Sequence, residues 1–284
     1  MDKEFKSFLK KVSGKEGERC HYNTRLDTYG CGCQHNCSYC YARSLLDFRG
    51  IWHPESPSIA DINKIKRAIS KKFNPGDIVR LGGMTDCFMP LERIKRITFG
   101  TIQCLNFYRV GYLRVTKSDL VASPEYLEIL DKELAHIQIS VTSTNEDISR
   151  SIEPGASLPE ARIKAVETLQ REGFDVAVRL SPYIPEFVNA ERIKRIECNK
   201  LQVEFLRVNG WIEKWLQGSG VNLDAYNYSE GGYKHLPLEV KKELLSKVQR
   251  PGVEISICED VNEHYNYWIE NFNPNREDCC NLRK

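Results

Sequence analysis

The chain has 284 residues, of which 41% are hydrophobic and 28% charged, with a formal net charge of +2. This length can bury one large α/β core or two smaller ones, and the near-neutral balance lacks the strong basic bias of a dedicated duplex binder. A mean hydropathy of −0.47 and the lack of an apolar run long enough to cross a bilayer describe a soluble globular protein with no membrane partner. The charged opening MDKEFKSFLKKVSGKEGERC has no apolar signal-peptide core, which gives a cytoplasmic expectation. In that compartment eleven cysteines point to metal or redox chemistry before disulfides. An odd count also suits a fully paired framework badly.

After an N-terminal arm (1–20), strand-like and helical patterns alternate. NTRLDTYG, just before a run of cysteines, is strand-like. DIVRLGG (Asp77 to Gly83) reads as a buried strand, and LERIKRITFGTIQCL follows with Leu91, Ile94, Thr98, Ile102 and Leu105 at helical spacing. GYLRVTK (Gly111 to Lys117) is the next strand. SPEYLEILDKEL then opens a helix with Ser123 as N-cap and Pro124 in the first turn. HIQISVTST (His136 to Thr144) is strand-like, PEARIKAVETLQREG runs from Pro159 to a C-capping Gly173, and FDVAVRLSP (Phe174 to Pro182) returns as strand. A helix around Glu191 and KLQVEFLRV (Lys200 to Val208) complete the rhythm.

Each unit has the length that a parallel crossover requires. Six such units over 21–208 predict an α/β fold, a partial (β/α)6 TIM-type barrel. An open doubly wound sheet is the rival arrangement. In both, chemistry belongs at the C-terminal ends of the strands. The two RIKR clusters, Arg93 to Arg96 and Arg192 to Arg195, read as solvated helix faces. Residues 209–284, rich in Tyr, Trp and Asn, are expected to form an appended C-terminal lid.

The chemistry concentrates in CGCQHNCSYCYAR, residues Cys31 to Arg43. Cys33, Cys37 and Cys40 are spaced so that three thiolates from one loop can reach three corners of a [4Fe–4S] cube, leaving one iron open to a ligand. A structural zinc site wants four ligands, and Cys31 or His35 is available as the fourth. An electron carrier would want a fourth cysteine in register.

Cys-x3-Cys-x-aromatic-Cys, placed after a strand and before a six-unit βα chain, resembles the signature of radical S-adenosylmethionine (SAM) enzymes. In that family the open iron chelates SAM, an electron from the cluster cleaves the sulfonium, and a 5′-deoxyadenosyl radical abstracts hydrogen from substrate. A ferredoxin- or flavodoxin-type electron donor is implied. GGMTDCFMPLE (Gly82 to Glu92), VTKSDL (Val115 to Leu120), ISVTST (Ile139 to Thr144) and the segment from Ile152 to Pro185 with its EPGASLPEAR stretch are similar to spore photoproduct lyase and its relatives. The resemblance covers about residues 25–190.

It implies that Gly82 and Gly83, with Met84 and Thr85, hold the methionine amino group of SAM, since only glycine admits so close an approach. Lys117 and Arg162 would meet the carboxylate or ribose of SAM, Ser140 and Thr142 would line the same pocket from one strand face, and Tyr39 would pack beside the adenine. Tyr41 matches a tyrosine near the radical path. The lyase carries a hydrogen-donating cysteine where Met84 stands here, with Cys87 three residues on. Either Cys87 is the donor, or the reaction needs none, and the second reading is preferred. A nucleobase or nucleotide within DNA, a thymine derivative, is the implied substrate, with rearrangement or hypermodification rather than repair as the reaction.

Two other readings stay open: a radical SAM enzyme acting on a peptide or free metabolite, and a zinc-bound nucleic-acid module without catalysis. Cys258, Cys279 and Cys280 with Cys20 and Cys31 are candidates for a second cluster, but adjacent cysteines diverge, and spare thiols or a thiol reaching the active site is the preferred reading. The aromatic set Trp211, Trp215, Tyr226, Tyr228, Tyr233 and Trp268 offers either stacking for an extruded base or simple lid packing.

Overall fold

A computed structural model describes residues 4–273 together with 280 and 282. Eight strands form one sheet: β1 (Leu9–Lys11), β2 (Thr24–Leu26), β3 (Ile78–Leu81), β4 (Gly111–Thr116), β5 (Ala135–Ser140), β6 (Asp175–Tyr183), β7 (Lys200–Phe205) and β8 (Glu254–Cys258). They pair in chain order. β1 runs antiparallel to β2 and every later pairing is parallel. Among the described residues β1 and β8 do not pair with each other, so the sheet is an open partial barrel.

Side-chain alternation sets the two faces of this sheet. On β4, Leu113 and Val115 point to a central cavity, while the Tyr112 hydroxyl donates to Asn106 in the helical layer at 2.9 Å. Six longer helices can be named: α1 (Tyr41–Phe48), α2 (Ile62–Lys72), α3 (Ile97–Phe107), α4 (Pro159–Arg171), α5 (Leu238–Val248) and α6 (Asn262–Asn271). α4 begins at Pro159 and buries Ile163, Val166 and Leu169. It stops before Gly173, whose φ of +80° is natural only for glycine.

The helix expected from Leu91 to Leu105 is broken at Arg96, which has a left-handed φ of +53°. The buried Glu92 carboxylate explains the break. It accepts the backbone N–H groups of Thr98 at 3.0 Å and Phe99 at 2.9 Å, capping α3, and takes the hydroxyls of Tyr29 and Tyr126. The helix expected after Ser123 is short, Pro124–Ile129, because Leu130 is already extended.

The C-terminal third differs from the expected lid. Within it β8 pairs with β7 over Glu254 to Cys258, and Leu244, Leu245, Val248, Ile257 and Trp268 join the main core. EISIC in β8 is an alternating strand that satisfies the free edge of β7. The N-terminal arm is likewise built in, through β1 and the backbone hydrogen bond from Phe5 N–H to Ile59 O at 2.7 Å. No helix among the described residues is long and apolar enough to cross a membrane.

Candidate active site

The loop carrying Cys33, Cys37 and Cys40 lies at the mouth of the sheet and ends as α1 begins. Cys33 and Cys37 are buried and Cys40 is half-buried. The Cys40 sulfur caps α1 by accepting the N–H of Arg43 at 3.4 Å. Asn36 at φ +45° tightens the loop, with its N–H on Cys33 O at 3.0 Å, and the Cys40 N–H reaches Cys37 O at 3.3 Å. All three cysteines line a cavity of about 380 Å³ on the concave face of the sheet, a size typical of ligand sites. Burial pushes the Cys33 thiol up to about 12 and moves the Cys37 thiol strongly in the same direction. Without a metal these groups are protonated thiols, and a metal would displace the protons.

The EPG segment is the floor of this loop. A Cβ on Gly155 would lie 1.9 Å from Gln34 O, backbone against backbone, so the cysteine loop sits directly on a position only glycine can fill. His35 is held on both ring nitrogens, by Gly155 O at 2.8 Å and by Asp86 Oδ2 at 3.0 Å. A histidine engaged in this way is unsuited to complete a zinc site.

Asp86 joins three elements. Besides His35 it accepts the Thr116 hydroxyl at 2.9 Å, the Lys117 N–H at 2.8 Å and the Phe88 N–H at 2.8 Å. Burial works to raise this carboxyl, but His35 and the two N–H donors outweigh it and hold it below its ordinary range. Asp27, buried at the end of β2, accepts the N–H of Gly83 at 2.6 Å and of Met84 at 3.4 Å, which fixes the turn after β3. Gly82 has φ +75°, and a Cβ on Gly83 would meet the Arg25 side chain at 2.5 Å. The sequence reading gives no role to Asp27 or Asp86, and it meets Glu153 only as the first residue of the EPGASLPEAR stretch. Each has at least one partner far along the chain: Gly83 for Asp27, His35 for Asp86 and Tyr39 for Glu153.

Of the residues expected at the site, Tyr39, Tyr41, Gly82, Gly83, Met84, Thr85, Lys117 and Ser140 line the cavity with the three cysteines. The Tyr41 hydroxyl donates to Gly83 O at 3.2 Å, and the Arg207 guanidinium lies 4.3 Å from its ring centroid. Lys117 Nζ lies 5.5 Å from the Tyr39 ring centroid and donates to Ser181 O at 3.4 Å. The Ser140 hydroxyl is buried with no hydrogen-bond partner among the described residues, an orphan that a ligand in the cavity can satisfy.

Three of the candidate residues lie outside the cavity lining. Arg162 does not reach the cavity. Its guanidinium is fully buried, paired with Glu153, and donates to Ser140 O at 2.9 Å and to the Ser149 hydroxyl at 2.8 Å. Thr142 is also behind the wall, bonded to the Tyr39 hydroxyl at 3.1 Å and to Ser181 O at 3.1 Å, while Tyr39 also donates to Glu153. Both residues belong to a buried polar cluster that backs the cysteine loop, because alternation along the chain does not reveal which polar residue meets a ligand and which meets a buried carboxylate. Cys87 is 1% exposed, packed in the core against Leu81 O at 3.9 Å, and does not line the cavity. At that turn Met84, Thr85 and Asp86 are in the lining instead.

None of the six tail aromatics lines the cavity. Trp268 and Tyr226 are buried, and Trp215 stacks on Arg43 at 4.0 Å. Among aromatic residues of the C-terminal third, Tyr265 is in the lining. Cys31 is not in the lining, and Cys279 lies outside the described residues.

With this geometry in view, comparison with known proteins is decisive at the family level. The model of the Radical SAM superfamily matches residues 28–197. The chain belongs to the radical SAM superfamily. Its members work with a [4Fe–4S] cluster and SAM, and the donor set here, three thiols from one loop beside an orphaned hydroxyl, fits both. The chain is 28% identical over 171 residues to the uncharacterized protein MJ0683 of Methanocaldococcus jannaschii, a stretch covering 57% of this chain and 61% of that one. It therefore spans less than two thirds of that relative's length.

Among solved structures, spore photoproduct lyase complexed with dinucleoside spore photoproduct aligns at a TM-score of 0.62 and 16% identity, over 90% of this chain and 81% of the lyase. A mutant lyase with bound AdoMet and the same dinucleoside aligns at 0.59 and 17%, over 89% and 80%. SuiB of Streptococcus suis bound to its precursor peptide SuiA aligns at 0.57 and 12%, over 88% and 51%. These likenesses show a shared fold.

Proposed function

We propose that the chain is a radical SAM enzyme in which Cys33, Cys37 and Cys40 hold the cluster, acting on a nucleobase-type substrate, a thymine derivative in DNA. The observation that carries this reading is the three-thiol loop opening onto a cavity at the C-terminal ends of parallel strands. Cluster and SAM together supply a 5′-deoxyadenosyl radical for hydrogen abstraction.

The chain's own residues bind and orient. Lys117 presents an ammonium to the cavity for a carboxylate, and the Ser140 hydroxyl is free to donate or accept. Asp27 holds the Gly82–Gly83 turn in the conformation that lets a ligand approach the backbone. Tyr41 stands over that turn, fixed by Gly83 O and Arg207. Basic side chains outnumber acidic ones along the cavity wall, with Arg19, Arg25, Arg80 and Arg207 among them, and this suits a phosphate-bearing substrate. Burial of Cys87 away from the cavity and exposure of Met84 to it favour rearrangement or hypermodification over thiol-quenched repair.

The test is mass spectrometry of nucleosides from DNA incubated with reduced enzyme and SAM, on spore-photoproduct and modified-thymine substrates in parallel. A new thymine-derived nucleoside from modified DNA supports the reading. Clean return of spore photoproduct to thymine overturns the preference for rearrangement. 5′-Deoxyadenosine formation stimulated by peptide and indifferent to DNA overturns the substrate class.

A further inference from the structure

The same cavity carries a second set of thiols, brought from three distant parts of the chain. Cys258 closes β8, in register with Glu204 of β7. Cys20 follows the short helix Gly14–Arg19, its N–H on Glu16 O at 3.0 Å. Cys280 enters from the C-terminal segment, its sulfur accepting from Gln202 Nε2 at 3.6 Å. All three line the cavity and none is in a disulfide. Cys280 is anchored there: Leu282 is 3% exposed and packs with Tyr22 and Leu113, and Cys20 and Cys280 lie against that same apolar cluster.

We propose that Cys20, Cys258 and Cys280 hold a second iron–sulfur cluster in the cavity, opposite the one held by Cys33, Cys37 and Cys40. Thiolates select soft metals: copper(I), zinc or an iron–sulfur cluster. Zinc takes a fourth protein ligand or a water. The histidine in the lining is His35, whose two nitrogens are already bonded, and the lining carboxylates Glu16, Glu204, Glu259 and Asp260 are paired with Arg80, Arg179, Lys241 and Arg207. A cube bound by three thiolates and open at one iron needs no fourth side chain.

The surroundings suit its charge. The buried Arg179 guanidinium, paired with Glu204, also feels Cys258 and Cys280, and Arg80, paired with Glu16, feels Cys20, so cations face the thiolates from β6 and β3. Burial, followed by repulsion from Cys280 and Cys258, pushes the Cys20 thiol up to about 12. Among the described residues no three Cys, His, Asp or Glu side chains already converge closely enough to hold a metal. That is as true of Cys33, Cys37 and Cys40 as of this triad, so both sites would tighten on binding.

The proposal is independent of the first cluster, and iron counting separates the two. After anaerobic reconstitution the wild type should hold about eight irons per chain, Cys33→Ala/Cys37→Ala/Cys40→Ala about four, and Cys20→Ala/Cys258→Ala/Cys280→Ala about four. In the first variant, the reduced cluster's electron paramagnetic resonance should be unmoved by SAM. In the wild type, needing no variant to fold, spin counting should find two signals of which SAM perturbs one. About four irons in the wild type with none in the first variant overturn the proposal and leave the first cluster standing. About four irons that survive in the first variant and vanish in the second uphold it and overturn the first-cluster assignment instead. One zinc lost in the second variant, with iron unchanged, overturns it.

Discussion

Arg162→Met is the most discriminating perturbation of the wall behind the cysteine loop. The guanidinium is fully buried and paired with an equally buried Glu153. Its loss strands that carboxylate and strips donors from Ser140 O and the Ser149 hydroxyl. Removing one partner of a buried pair costs about 3–5 kcal/mol, because the remaining charge is left uncompensated. For a chain of this size that lowers Tm by on the order of 10 °C. Arg162→Met combined with Glu153→Gln should recover a large part of the loss, since no buried charge remains and Tyr39 and Ser149 keep an amide to bond. The assay is thermal unfolding of the iron-free protein by circular dichroism, beside SAM binding to the reconstituted protein. An unchanged Tm in the single variant with SAM affinity lost would refute the placement of Arg162 and return it to the ligand.

Lys117→Ala should weaken SAM binding by about 1.5–3 kcal/mol by calorimetry, with iron content unchanged; full affinity would remove Lys117 from the ligand site. Gly155→Ala should sharply lower iron incorporation, because the new methyl collides with Gln34 O, whereas Gly210→Ala, with nothing within 4 Å of its Cβ, should not. Equal iron in both would mean the loop does not rest on Gly155. Cys87→Ala should cost about 1 kcal/mol by denaturant unfolding and leave the product distribution untouched; altered products would make Cys87 a reacting group. Burial works to raise the Asp175 carboxyl, but hydrogen bonds from His136 and Lys200 outweigh it and hold it low. A depressed folded-state value gives stability that is present above the unfolded carboxylate range and lost as pH falls through the folded one. Acid titration of unfolding should therefore be steeper for wild type than for Asp175→Asn, and identical slopes would count against the pairing.

Much of the fold was legible because it is local. β3 to β7 announce themselves as apolar runs, and α4 carries Pro159 at its start and Gly173 past its end. The cysteine loop was legible for the same reason, since its three thiols lie within one short stretch. What escaped is tertiary. Arg162 in a motif reads as a ligand, and only packing reveals that it meets Glu153. Glu92 looks like a helical surface residue until its carboxylate is found capping α3. β8 is a short strand hidden in an aromatic-rich tail, recognisable once the edge of β7 needs a partner. Cys20, Cys258 and Cys280 show no common spacing, and only the sheet order brings them to one cavity.

The central claim is that Cys33, Cys37 and Cys40 support reductive cleavage of SAM, and 5′-deoxyadenosine tests it most directly. Anaerobically reconstituted protein, reduced with dithionite and given SAM, should form 5′-deoxyadenosine detectable by liquid chromatography with mass spectrometry. The variant with all three cysteines replaced by alanine should form none. A wild type that binds zinc without iron and leaves SAM intact would contradict the account.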